Sequence, residues 1–167
     1  MTTQPKDTHI ISMLVANKPG VLVRVALVFA RRAFNIDSLV VSASVNPKFS
    51  RMTITAKGDL TTLDQIIKNL NKLVDVLHTN EHDPSHSIDR ELALLKVKAS
   101  PAAKAGIAKQ IKEYHAKIVD TADKTMIIAQ SGTTEELDEF EVLMKKYGVI
   151  EMVRSGKLLM AQGKEAT

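Results

Sequence analysis

A chain of 167 residues, 44% hydrophobic and 25% charged, can hold one domain or two small ones of roughly 75 to 85 residues each. Its formal charge of +4 is mild and its basic residues are interleaved with acids, as in 109–117 and 135–146, while two tyrosines and four phenylalanines make no base-stacking platform, so no nucleic-acid partner is expected. Zero cysteines exclude disulfides, thiolate metal sites and a cysteine nucleophile; no apolar run approaches the ~18 residues of a membrane span, and residues 1–8 lack the hydrophobic centre of a secretory signal, so no membrane association and a cytoplasmic location are expected.

Taken in chain order, the apolar period alternates between 2 and 3.6. Residues His9 to Ala16 read as a buried strand, followed by the turn Asn17-Lys18-Pro19-Gly20 and a helix from Val21 to Ala33 with Val21, Leu22, Val25, Ala26, Phe29 and Ala33 on one face. Ile36 to Val45 and Arg51 to Lys57 read as strands joined by a hairpin at Asn46-Pro47-Lys48. A second helix over Asp59 to Leu73 and a short strand from Val74 to Thr79 complete a β-α-β-β-α-β order. Two interleaved right-handed βαβ units of this order give a four-stranded antiparallel sheet with both helices on one face. The other face is left bare and calls for a second layer, supplied by self-association or by the rest of the chain.

The turn is the candidate site. Pro19 fixes one dihedral, Gly20 removes a Cβ that would obstruct a ligand, and the helix beginning at Val21 and Leu22 offers unpaired N–H groups and the positive end of its dipole to a carboxylate. Asn17, and Asn35 ahead of Ile36, add amide donors and acceptors suited to a free amino acid. Arg24 belongs to the opposite side of the helix and is not expected to face the ligand.

A polar, histidine-bearing stretch, Asn80 to Ser87, reads as the boundary between domains over 9–83 and 84–160; Pro84 breaks the four-residue spacing of His78, His82 and His86 that a helical metal site would need. Beyond it the same order recurs: strand Glu91 to Ala99, helix Pro101 to His115, strands Ala116 to Thr121 and Thr125 to Gln130, helix Thr134 to Tyr147, and strand Val149 to Val153. Thr133 and Glu136 form a capping-box pair, Leu137, Phe140, Met144 and Tyr147 an apolar stripe, and Gly148 suits the C-terminal cap. The equivalent junction, Ala99-Ser100-Pro101-Ala102, lacks the glycine, so no second effector turn is expected. Arg51 reads as a solvated strand residue with Asp37 or a partner subunit as its alternative mates, the methionines as gap-filling core, and Gln162 to Thr167 as frayed. The fold class is thus α+β, with two ferredoxin-like βαββαβ domains.

Several runs carry a closer likeness. Asn17-Lys18-Pro19-Gly20-Val21-Leu22, Phe34-Asn35-Ile36-Asp37-Ser38-Leu39, Ser50-Arg51-Met52-Thr53-Ile54 and Asp89-Arg90-Glu91-Leu92-Ala93-Leu94-Leu95-Lys96-Val97 resemble the regulatory small subunit of acetolactate synthase (acetohydroxyacid synthase), the first three lying in its ACT domain. The resemblance implies a non-catalytic subunit that binds a branched-chain amino acid, usually valine, where ACT domains pair into a homodimer. It also implies activation and feedback inhibition of a catalytic large subunit that holds thiamine diphosphate, magnesium and often FAD, with no cofactor in this chain. Carried onto this sequence, Asn17, Gly20 and Asn35 fall on the effector-binding positions, with Lys18, Pro19, Val21, Leu22 and Ile36 beside them.

Two other classes compete. An amino-acid sensor acting on a different enzyme or a transcriptional partner would need a helix-turn-helix or basic surface, and a free-standing enzyme would need converging catalytic groups; the sequence offers no convincing set of either.

Overall fold

The computed structural model describes residues 8–164 and Thr167, which fall into two compact units. Among the described residues one unit comprises 8–89, 156–164 and Thr167, and the other comprises Arg90–Ser155.

In the first unit, β1 (Thr8–Ala16), α1 (Val21–Ala30), β2 (Asn35–Ala43), β3 (Phe49–Lys57), α2 (Leu60–Leu70) and β4 (Val76–His82) build a sheet of order β2-β3-β1-β4. Both flanking strands of β3 run antiparallel to it, with Ala16 opposite Phe49, Thr8 and Asn35 both opposite Lys57, and Ala43 opposite Ser50. β1 and β2 are therefore parallel, as a βαβ crossover requires. Ile11, Met13, Val15, Met52 and Ile54 point from the sheet into the helices, where Val21, Val25, Phe29, Leu63, Ile66 and Leu70 meet them. Leu22, on the expected apolar face of α1, stays exposed, because the helix buries only the stripe that meets the sheet.

The opposite face of this sheet is not left bare. Its rows Ile10–Thr55–Ser38 and Ser12–Thr53–Val40 include four residues less than 9% exposed: Ile10, Ser12, Thr53 and Thr55. The segment from Gly156 packs here, so closely that a Cβ on Gly156 would stand 3.0 Å from the Ser38 Cβ. Gly156 has φ +82°, a second reason for glycine. Arg51 donates to the Thr167 carbonyl, and His78 Nε2 lies 3.2 Å from the same oxygen. Arg51 is thus neither solvated nor paired with Asp37, whose ion pair is with Lys57 at 3.3 Å. The segment contains a strand that periodicity does not reveal, β9 (Leu158–Ala161), and is anchored by Lys157 Nζ on Asp89 at 2.7 Å and the Gln162 N–H on His86. Described residues of the expected frayed end are therefore tied down, while 165–166, like residues 1–7 of the signal-peptide reading, lie outside the described residues.

The polar linker of the sequence reading is largely regular structure. β4 continues through Asn80 to His82, Pro84–His86 form one 3-10 turn, and β5 (Ser87–Lys98) begins four residues before the expected strand. Ladder bonds from Ile10 and Ser12 to the β4 backbone stabilise residues whose side chains alone read as loop. His82 bonds Ser12 Oγ at 2.6 Å, and among the described residues no three metal-ligating side chains converge.

The second unit repeats the order with α3 (Pro101–Glu113), β6 (Lys117–Thr121), β7 (Thr125–Gly132), α4 (Thr134–Lys145) and β8 (Val149–Arg154) around β5, in sheet order β6-β7-β5-β8. Its core joins Leu95, Val97 and Ile128 to Ile107, Leu137, Phe140 and Met144. Met13, Met52, Met126 and Met144 are core residues, whereas Met160 is exposed. The capping box at Thr133 and Glu136 is formed in both directions, and Gly148 has φ +82°. Thr133→Ala, which removes the acceptor of the Glu136 N–H, is expected to lower the stability of this unit by about 1 kcal/mol, measured by urea unfolding; a change under a few tenths would mean that water replaces the cap. Glu91, 6% exposed, accepts from Thr134 and from Arg154 Nη2 at 2.9 Å, and Arg154 also donates to Asp138. Burial opposes the charge on Arg154, but the bonds to Asp138 and Glu91 outweigh it and hold the guanidinium protonated above its usual range.

Candidate functional site

Gly20 forms the start of α1 in the left-handed region, φ +83°, and a Cβ there would meet nothing within 4 Å. The positive φ by itself calls for glycine at this position, and no protein atom fills the space in front of it. Helices α2, α3 and α4 are each capped by a side chain, Asp59, Ser100 and Thr133; α1 has no side-chain cap and no acidic residue in its first turn. The cap on α2 is strong enough to be felt by its own proton: Thr62, through hydroxyl and N–H, holds the Asp59 carboxyl below the usual carboxylate range. At α1 the N–H groups of Leu22 and Val23 have no acceptor among the described residues. An uncapped first turn open to solvent is a place where an anion gains donors and a favourable dipole together.

Asn17 lies beside this turn and is tied to the hairpin between β2 and β3, its N–H bonding the Lys48 carbonyl at 2.8 Å and its Nδ2 the Pro47 carbonyl at 3.1 Å. Lys18, Pro19 and Gly20 are exposed and Val21 is buried. Asn35 and Ile36 are elsewhere. Because β1 and β2 are parallel, the end of β1 and the start of β2 lie at opposite ends of the sheet, eight residues apart along β3 from Phe49 to Lys57, or roughly 26 Å. Asn35 donates there to Asp37 Oδ1 at 2.8 Å. The expectation that Asn17 and Asn35 of one chain meet at one point is therefore wrong.

Arg24, set aside in the sequence reading, proves part of the site's wall. Its Nη2 lies 2.8 Å from Asp75 Oδ2, and Lys18 Nζ is 3.8 Å from the other oxygen of the same carboxylate, which is 12% exposed. Val21, Arg24 and the connection Lys72–Val76 line a cavity of about 170 Å³ beside the first turn of α1. The Ala16 N–H donates to the Asp75 carbonyl at 2.7 Å, fixing this connection against the end of β1. A pairing over 51 residues of sequence, Arg24 to Asp75, leaves no local signal.

The sheet of order β2-β3-β1-β4 is ferredoxin-like, and its class is given by residues 11–78, which match an acetohydroxyacid synthase small-subunit-like ACT domain. Residues 90–163 match the small subunit of acetolactate synthase. The chain is 40% identical over 164 residues to a probable acetolactate synthase small subunit of Methanothermobacter thermautotrophicus, covering 98% of both chains, and 40% identical over 156 residues to the acetolactate synthase small subunit of Mycolicibacterium smegmatis, covering 93% and 92%. The crystal structure of the acetolactate synthase small subunit from Thermotoga maritima superposes with a TM-score of 0.87 at 38% identity, over 95% of this chain and 99% of that one. This chain belongs to the acetolactate synthase small-subunit family. Among the described residues no helix is long and apolar enough to cross a membrane.

Proposed function

We propose that this chain is the valine-responsive regulator of a cytoplasmic acetolactate synthase, raising the activity of a catalytic large subunit and making it subject to feedback inhibition by valine or its branched relatives. Thiamine diphosphate, magnesium and FAD belong in this reading to the large subunit. The observation that carries it is the uncapped start of α1 at Gly20, whose free N–H groups are ready donors to an amino-acid carboxylate.

The effector site is shared by two copies. β2 is an edge strand, and beside it α1 exposes Leu22, Val23 and Leu27 at 42, 62 and 45%. Pairing two β2 edges about a two-fold axis would cover both features and runs the strands antiparallel. That operation carries the partner's Asn35 end to the end of the joined sheet where this chain's Asn17–Gly20 turn lies, reuniting residues that one chain keeps apart.

A complementation assay tests both statements. The catalytic subunit, assayed with this chain, is expected to gain activity and become sensitive to valine; Gly20→Asp and Asn35→Ala are each expected to lose sensitivity. An equimolar mixture of the two variants regains intact sites, about a quarter of the total, since each mixed dimer rebuilds one of its two. No recovery in the mixture would overturn the shared site, and no effect of wild-type chain on the catalytic subunit would remove the proposal.

A further inference from the structure

The start of β2 holds a cluster that the effector turn does not account for. The register of β2 against β3 slips here, Ile36 facing Ala56 and Ser38 facing Thr55, so Asp37 has no partner across the ladder. A bulge of this kind bends a strand and re-aims a side chain. Asp37 turns one oxygen to Asn35, whose Nδ2 donates to Oδ1 at 2.8 Å, and the other to Lys57, with Nζ 3.3 Å from Oδ2. Lys57 is also the residue opposite Asn35 in the ladder, so the three are tied together at one end of an edge strand. The chemistry of the contact decides which way the Asn35 amide is turned. Its two ends have nearly the same shape, but a carboxylate only accepts and therefore takes the Nδ2 end. Oδ1 is left as an acceptor at an exposed position, and no donor among the described residues takes it.

We propose that Asp37 is a positioning residue that sets the chemical selectivity of the shared site: by holding the Asn35 amide with Oδ1 free, it favours a ligand carrying an ammonium group beside its carboxylate over one carrying a hydroxyl there. The inference rests on the two-chain site proposed above, in which the α1 turn of one copy takes the carboxylate and the β2 start of the other lies across from it. An ammonium group only donates, so it needs the oxygen of the amide. A hydroxyl both donates and accepts, so it is served by either end. With the amide turned round, ammonium and N–H groups would meet donor against donor, which costs more than one missing bond. The selection lies in the orientation of the amide, not in the field of the carboxylate, because Lys57 offsets the charge on Asp37.

Thermal unfolding of the full chain, titrated with valine and with 2-hydroxyisovalerate, which has a hydroxyl in place of the ammonium group, tests this. The wild-type chain is expected to bind valine about tenfold more tightly than the hydroxy acid, the worth of one hydrogen bond from a charged donor. Asp37→Ala frees the amide to turn and should bring the two ligands within about twofold of each other, chiefly by weakening valine. Equal binding of the two by the wild-type chain, or a tenfold preference kept in Asp37→Ala, would overturn the role of Asp37 and leave the shared site standing. No stabilisation of the wild-type chain by valine would remove both. If Asp37→Ala fails to fold, the side-chain amide protons of Asn35 in the wild-type chain decide. The bond to Asp37 should slow their exchange with solvent, and that protection should persist when valine is added. Its loss on binding would show the amide turning its N–H groups to the ligand, which overturns the proposal.

Discussion

Arg154→Ala is expected to destabilise the second unit by about 3 kcal/mol, the lower end of the range for breaking a buried ion pair. Glu91 is 6% exposed and its partner 23%, so removing the guanidinium leaves a carboxylate out of water with the Thr134 hydroxyl still donating to it. The loss at Asp138, which is 58% exposed, adds little. The two tyrosines of the sequence, Tyr114 and Tyr147, both belong to this unit, and there is no tryptophan. Tyrosine fluorescence during urea unfolding therefore reports this unit alone, while far-ultraviolet circular dichroism reports both, and the expected result is an early fluorescence transition. The double variant Glu91→Gln, Arg154→Ala should recover part of the loss, because it removes the stranded charge. A single-variant loss below about 1 kcal/mol would mean that water reaches Glu91 freely.

If valine is the effector, as proposed, it stabilises the chain against heat, and Gly20→Asp is expected to abolish that stabilisation. Ligand at about 100 times its dissociation constant stabilises a native state by about 2.7 kcal/mol, a shift of several degrees for units of this size. The substitution meets no neighbour, since nothing lies within 4 Å of the new Cβ. It does place a side chain at φ +83°, a strain of about 1 to 2 kcal/mol that aspartate and asparagine bear better than most residues. The new carboxylate sits where α1 has no cap, takes the donors that an effector carboxylate needs, and repels its charge. Gly20→Asn carries the same strain without the charge and should keep part of the response. A full valine shift in Gly20→Asp would show that the effector carboxylate binds away from this turn.

The alternation of periods was enough to read both βαββαβ units, because each helix and strand buries one stripe and the stripe repeats along the sequence: Val21, Val25 and Phe29 in one, Met52, Ile54 and Ala56 in the other. The turn at Gly20 was legible for the same local reason. What escaped was set by distance in sequence. Asn35 follows α1 directly, yet a crossover returns the chain to the starting end of the sheet, so the residue after the helix is as far as the sheet allows from the residue before it. Arg24 was judged by its helix face alone, and the face is correct; the wall it meets comes from Asp75. β9 has four residues and two glycines near it, Gly156 and Gly163, too short and too punctuated for a period to show.

The course of the chain gives the two units different histories on the ribosome. Arg90–Ser155 is one uninterrupted stretch and can close on itself as soon as it emerges. The unit that starts first finishes last: Ile10, Ser12, Thr53 and Thr55 are made early and wait more than a hundred residues for the segment from Gly156 that packs on their face. Loop closure over that span is slow compared with the hairpin contacts around it. A change in the segment from Gly156 therefore acts on the folding of the amino-terminal sheet, and a fusion placed beyond it burdens the first unit, although it is attached to the far end of the sequence.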